Sequence, residues 1–268
     1  MTSYKLVALD LDGTTLTEDK RISDETRYWI KRAMEAGVTV IFSTGRGMQT
    51  ASMYWDDLRL EVPMVMLNGA EIWKGPGQLW ERHYLSRQEI RKLHNLAVDA
   101  GAWFWGYSVE SLTGAGEWTE EMFERDWLKF GIRHDDLSTI AKLREDAAAF
   151  GNLEITRSAD INMEVTRQGV SKEYGVRKVC ELLGIGMHEV MAIGDHHNDM
   201  LMIQAAGWGV AMGNAEEELK RAADAVTDTN EQDGVARAIQ RYVFGLEPQT
   251  LTPDKTGTYQ RGDARSIT

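Results

Sequence analysis

A single cysteine, Cys180, stands among the 268 residues. One thiol excludes an intrachain disulfide and leaves no cysteine spacing of the kind that holds structural zinc; Cys180 reads as an ordinary buried helix residue. Nor is there a run of about 18 apolar residues, roughly what a helix needs to cross a bilayer. The opening MTSYKLVALD goes straight into a strand pattern, without the charged stretch, long apolar stretch and cleavage site of a secretory signal. These absences lead us to expect a cytoplasmic protein. Dense runs of Lys and Arg are missing too, and the formal charge is −12. Such a surface repels nucleic acid, so neither a nucleic-acid nor a membrane partner is expected. A small anionic ligand stays compatible with that charge, because a site can be locally positive. No internal repeat is visible, and the RGD beginning at Arg261 is too short to carry information.

What is present is, first, an alternation of strands and helices. KLVALD reads as a buried parallel strand. Ser23 caps the helix DETRYWIKRAMEA, which Gly37 stops. VTVIFST is a second strand, and a helix near 47–58 leads to a third, PMVMLN. This rhythm implies an open, mostly parallel sheet with right-handed crossovers. It then changes. EIWK and LWERHY flank GPGQ as a hairpin, and Ser86 with Glu89 forms a capping box for RQEIRKLHNLAVDA. AWFWGYS, LEITRS and INMEVT read as strands, and EEMFERDWLKF and STIAKLREDAAAF as helices. After Gly169 the first rhythm returns, with EVMAIGD as a strand ending in aspartate. The expected fold is α/β: a Rossmann-like core over 1–81 and 169–245, an inserted α+β cap over 82–168, and a polar tail over 246–268.

Second, the first strand ends in two aspartates, Asp10 and Asp12, one residue apart. Carboxylates about 4 Å apart repel by about 4 kcal/mol near a protein surface. A divalent cation or a shared proton is the usual remedy. In an open α/β sheet, ligands bind beyond the carboxyl ends of the strands, where the strand order switches direction. If EVMAIGD pairs beside the first strand, then Asp10, Asp12, Thr44 and Asp195 converge there, with Asp199 one helical turn beyond Asp195.

DLDGT at 10–14, STGR at 43–46, Lys172 in GVSKEYG and GDHHND at 194–199 resemble the four motifs of the haloacid dehalogenase superfamily. Their order, their strand contexts and the large insertion between the second and third are similar to its Cof-type phosphatases. The resemblance covers about residues 4–245. It implies a Mg²⁺-dependent phosphoric monoester hydrolase acting on a small phosphorylated metabolite. Asp10 would attack phosphorus and carry an aspartyl phosphate. Asp12 would protonate the leaving alcohol and then deprotonate water. Mg²⁺ would be held by Asp10, the Asp12 carbonyl and Asp195, with Asp199 in support. Thr44, the Gly45 N–H, Lys172, Asn198 and the backbone at Leu11 would hold the phosphoryl oxygens. His196 and His197 read as variable filler rather than an imidazole metal site, which would suit zinc better. Lys178, the other candidate for the third-motif lysine, reads as a solvated helix face.

The motifs leave two alternatives open: a phosphomutase of the same superfamily and a non-catalytic phospho-ligand sensor. A sensor would be marked by Asn at position 10 or 12, and both are Asp. The substrate and the oligomeric state are not legible. In the cap, Trp103, Phe104, Trp105, Tyr107 and Trp118 form an aromatic set, about half of it expected in the cap's own core. Tyr107, Trp105 and Glu164 are candidates to face a substrate.

Overall fold

The structure, a computed structural model, describes residues 4–248 and, beyond them, only a short antiparallel pairing of Thr252–Pro253 with Tyr259–Gln260. The remainder of the polar tail expected over 246–268 lies outside the described residues. Among the described residues, no helix is long and apolar enough to cross a membrane.

The chain begins with β1 (Leu6–Leu9), α1 (Asp24–Glu35), β2 (Thr39–Phe42), α2 (Met48–Leu58) and β3 (Met64–Met66). The hairpin β4 (Glu71–Gly75) and β5 (Gln78–Arg82) follows. Next come α3 (Arg87–Asp99), β6 (Trp103–Ser108), β7 (Leu112–Gly114), β8 (Trp127–Arg133), α4 (Leu137–Ala148), β9 (Leu153–Thr156) and β10 (Asn162–Arg167). The last stretch is α5 (Lys172–Leu183), β11 (Val190–Gly194), α6 (Met200–Ala205), β12 (Trp208–Ala211), α7 (Glu217–Ala222), β13 (Ala225–Val226) and α8 (Gly234–Ala238).

One sheet is parallel, in the order β13-β12-β11-β1-β2. Its strands β1 and β11 are buried along their whole length, as continuous apolar runs in a sheet covered on both faces must be. Leu9 pairs with Ile193 on one side and Phe42 on the other, so β1 and β11 end together. The chain runs from β1 to β2 in one direction and later fills β11, β12 and β13 in the other. The switch in strand order therefore falls between β1 and β11, where Asp10 and Asp195 emerge. The antiparallel β3-β4-β5 sheet continues from β2 through a parallel bridge between Ser43 and Val65.

The inserted cap is a five-stranded antiparallel sheet in the order β7-β6-β8-β10-β9. Its apolar face takes Ile90, Leu93 and Ala97 from α3 and Ile140, Leu143 and Ala147 from α4, the spacing of one helical stripe. Ser86 and Glu89 make both hydrogen bonds of the capping box at the start of α3. EEMFERDWLKF is not the expected helix: Glu120–Glu124 is a short 3-10 segment and Trp127–Arg133 is the central strand β8. Phe123, Trp127 and Phe130 stand at helical spacing and all enter the cap core, which is what the sequence pattern registered. A register shift beside Trp127 lets residues 127 and 130 share a face within a strand.

Candidate active site

Asp10 follows β1 directly, and the Thr15 hydroxyl donates to its carbonyl at 2.5 Å. Gly13, at φ 75°, turns the chain back over the sheet. A Cβ there would stand 2.1 Å from Asp195 Oδ2, so only glycine leaves room for that carboxylate. Asp195 follows β11 and takes a hydrogen bond from the Thr14 hydroxyl at 3.1 Å. Asp199 caps its own loop: its Oδ2 accepts from the Asp195 and His196 N–H groups at 3.0 and 3.2 Å.

Lys172 opens α5, just after Ser171, whose hydroxyl accepts from the Tyr174 N–H. Its ammonium is fully buried and donates to Asp10 Oδ1 at 2.6 Å and to Asp199 Oδ1 at 2.7 Å. Burial alone would lower the Lys172 pKa, but Asp10 and Asp199 outweigh it and hold it above the usual lysine range. Burial pushes the Asp10 carboxyl well above the usual carboxylate range; Asp199 and Asp195 add to this, and Lys172 opposes it. Carboxylate oxygens of Asp10, Asp195 and Asp199 all lie within 4.8 Å of one another. Three carboxylates outnumber the buried Lys172 ammonium and the part-exposed His196 imidazole beside Asp195, and the net negative charge left there suits a divalent cation. Asp195 Oδ2 accepts no well-aligned hydrogen bond although His196 Nδ1 is 2.6 Å away. The donor set, all hard oxygens, fits Mg²⁺.

Asp12 faces the cavity side. Arg46 grips it with two nitrogens, Nε to Oδ2 at 2.6 Å and Nη2 to Oδ1 at 2.7 Å, and Lys20 Nζ adds a contact at 2.8 Å. Burial works against the charge, yet these cations win and bring the Asp12 pKa down to about 2. Asp195 beside His196 draws that imidazole up to about 9, while burial and then Arg157 push His197 down. Thr44 ends the second strand region, its Oγ1 accepting from the Arg46 N–H. The Leu11 side chain is buried in the core, leaving only its peptide for a ligand. Lys178 is on the surface, paired with Glu181 and Glu81.

A cavity of about 390 Å³ lies between core and cap. Its core wall includes Asp10, Asp12, Thr44, Gly45 and Asn198; Lys172, Asp195 and Asp199 sit behind that wall. The cap wall is Trp105, Tyr107, Lys129, Ser158 and Glu164. Buried Lys129 donates to the Gly45 carbonyl at 2.5 Å and to Glu164 Oε2 at 3.0 Å. Glu164 also accepts from Asn68 Nδ2 at 2.7 Å and from the Ser158 hydroxyl at 3.0 Å. Burial opposes its charge, and Lys129 leads the contacts that nevertheless hold its pKa below the usual range. Asn68 Oδ1 in turn takes a hydrogen bond from Asn198 Nδ2 at 3.3 Å. Leu67 and Asn68 both have positive φ, a strained pair of residues beside the site. Farther along the same seam, Arg157 of the cap reaches Glu216 at 2.8 Å.

Arg46, Lys20, Asn68, Lys129, Ser158 and His196 thus join the site without having been assigned a part from the sequence. Arg46 stands inside STGR and carried a signal. Lys129 lay in the segment read as helix, where its strand neighbours were invisible.

A family model described as haloacid dehalogenase-like hydrolase matches residues 7–130 and 116–239. The chain is 41% identical over 240 residues to the 5-amino-6-(5-phospho-D-ribitylamino)uracil phosphatase YcsE of Bacillus subtilis, covering 90% of this chain and 96% of that one. It is 31% identical over 261 residues to a second B. subtilis protein of that name, YitU, covering 88% and 97%. A haloacid dehalogenase-like hydrolase structure from B. subtilis superposes with a TM-score of 0.80 at 24% identity, covering 88% of this chain and 98% of that one.

Proposed function

The chain belongs to the haloacid dehalogenase-like hydrolase family, and on that footing we propose that it is a Mg²⁺-dependent phosphatase working through an aspartyl phosphate on Asp10. The observation that carries this is the meeting of Asp10, Lys172, Asp195 and Asp199 beneath a capped cavity. Asp10, the Asp12 carbonyl and Asp195 would hold the ion, with Asp199 fixing their loop. When bound, Mg²⁺ would offset the repulsion between an anionic nucleophile and a phosphate dianion.

Asp10 presents one oxygen to phosphorus. As that bond forms, the bond to the leaving alkoxide breaks, and its electron pair takes a proton from Asp12. In the second step Asp12 removes a proton from water. The water oxygen bonds to phosphorus, and the Asp10 oxygen leaves with its electrons, restoring the carboxylate. Thr44, the Gly45 N–H, Lys172 and Asn198 hold the phosphoryl oxygens as charge spreads over them. Arg46 and Lys20 keep Asp12 ionised at rest. To act first as an acid it must exchange those partners, and an arriving phosphate dianion competes for both cations. The cap over 82–168 excludes bulk water and selects the leaving group.

The two B. subtilis relatives make 5-amino-6-(5-phospho-D-ribitylamino)uracil the first substrate to try. A screen of phosphorylated metabolites with Mg²⁺, read by free phosphate, tests the function. Release from small monoesters, abolished by Asp10→Asn, supports it; no release from any ester, activated aryl phosphates included, refutes it. In heavy-oxygen water only hydrolysis labels the released phosphate, which separates it from transfer to a second hydroxyl.

A further inference from the structure

The face of the cap sheet turned toward the core is ordered in rows. Tyr107 pairs with Lys129, then Trp105 with Gly131 and Gly131 with Glu164, then Trp103 with Arg133 and Arg133 with Asn162. Successive rows lie about 6.6 Å apart along the strands. The inner rows are buried or part-buried and line the cavity, whereas Trp103 is half exposed. The alternate residues Phe104, Phe130, Ile132, Met163 and Val165 go to the opposite face, into the cap core.

The rows differ in chemistry. The Lys129–Glu164 pair sits against Gly45: a Cβ built there would be 3.3 Å from Glu164 Oε2 and 3.5 Å from Lys129 Nζ. Two of the three ammonium donors of Lys129 go to Gly45 and Glu164, which leaves one for a ligand oxygen. Glu164 shares its row with Trp105, whose indole lies across the Gly131 between them. A Cβ at Gly131 would fall 2.2 Å from the ring, so this position keeps the indole flat against the sheet. Trp103 stacks beside Trp105 with centroids 5.3 Å apart and planes 26° off parallel, bracing it.

We propose that the cap reads a leaving group made of a short hydroxylated chain carrying a flat ring, with Lys129 and Glu164 meeting the chain and the Trp105 indole stacking the ring. This rests on the phosphatase reading, with phosphate at Asp10 and Gly45. From there the leaving group must run outward over the cap rows. The Lys129–Glu164 pair against Gly45 offers a cation and a carboxylate, a donor–acceptor pair for hydroxyls. Across Gly131 from Glu164 the wall becomes a braced aromatic plane, which takes a heterocycle and offers a saturated sugar little. Trp105 is therefore a specificity determinant and takes no part in the bond changes.

The test compares kcat/KM for a ribityl phosphate bearing a pyrimidine ring with that for ribitol 5-phosphate, in full-length wild type and Trp105→Leu. Stacking on an aromatic side chain is worth about 10- to 100-fold. Wild type should favour the ring-bearing ester by about that factor, and the ratio should collapse toward unity in Trp105→Leu; Trp105→Phe should keep part of it. No ring preference in wild type, or an unchanged ratio in Trp105→Leu, overturns the proposal. Calorimetry with the dephosphorylated ring compound decides the matter without turnover. Wild type should bind it at least about 10-fold more tightly than Trp105→Leu, and equal binding overturns the proposal even if phosphate release is robust. Absence of phosphate release from every ester strikes the phosphatase reading alone.

Discussion

Replacing Lys172 by methionine keeps the length and most of the volume of the side chain and removes one charge. The ammonium is fully buried, with Asp10 at 2.6 Å and Asp199 at 2.7 Å. Removing one partner of a buried ion pair costs about 3–5 kcal/mol, because the remaining charge stays desolvated. At about 2–4 °C per kcal/mol for a chain of this size, the metal-free variant should melt about 6–20 °C below wild type. The sign with pH follows from Asp10, whose carboxyl is already raised by burial and by Asp199 and Asp195. A carboxyl raised in the folded state binds its proton more tightly there, so it favours folding at low pH and loses that advantage as pH rises through the raised value. Without Lys172 the rise is larger, and the deficit of Lys172→Met should be smaller at about pH 5 than at about pH 8. Mg²⁺ should narrow the deficit by offsetting the same carboxylates. Scanning fluorimetry in chelator and in Mg²⁺, at both pH values, measures all of this. A melting temperature within about 1 °C of wild type in chelator would show that the Lys172 ammonium does not hold these carboxylates together.

Exhaustive dialysis against chelator should abolish phosphate release. Mg²⁺ should restore it, while Ca²⁺ should bind with little turnover, since its looser coordination misplaces the nucleophile; full activity in chelator would show that no such ion is needed. Glu164, held below its ordinary value of 4.5, adds stability that is present above that value and lost as pH falls through the lowered one. Glu164→Gln should therefore be less stable than wild type at neutral pH, with the gap closing below about pH 4.5 in thermal melts; a gap that stays constant with pH contradicts the ion pair with Lys129.

The parallel core was legible because its strands are continuous apolar runs, and Asp10 and Asp195 were placed beside each other by the pairing of β1 with β11. Ser23, Ser86 and Glu89 marked helix starts through local hydrogen bonding, which needs no tertiary context. The strand β8 was illegible because Phe123, Trp127 and Phe130 mimic a helical stripe, and only the register shift beside β6 reveals otherwise. Lys129 was lost with it. Its role depends on a carbonyl 84 residues away and a carboxylate 35 residues away, contacts that no spacing rule encodes. Arg46 stands within the STGR motif, yet its grip on Asp12 across 34 residues appears only once both loops are folded. Among the cap aromatics, alternation separated Phe104, in the cap core, from Trp105 and Tyr107 at the cavity.

Asp10 is the residue proposed to carry the phosphoryl group. Asp12→Asn keeps that nucleophile and removes the group that activates water, so an activated aryl phosphate should load the variant and leave it phosphorylated. Quenching in acid, reducing the acyl phosphate with deuterated borohydride and mapping the peptides by mass locates the modified residue. Deuterium is expected at Asp10, and absent when Asp10→Asn is combined with Asp12→Asn. Label at another residue, or none while phosphate is still released, would contradict that role for Asp10.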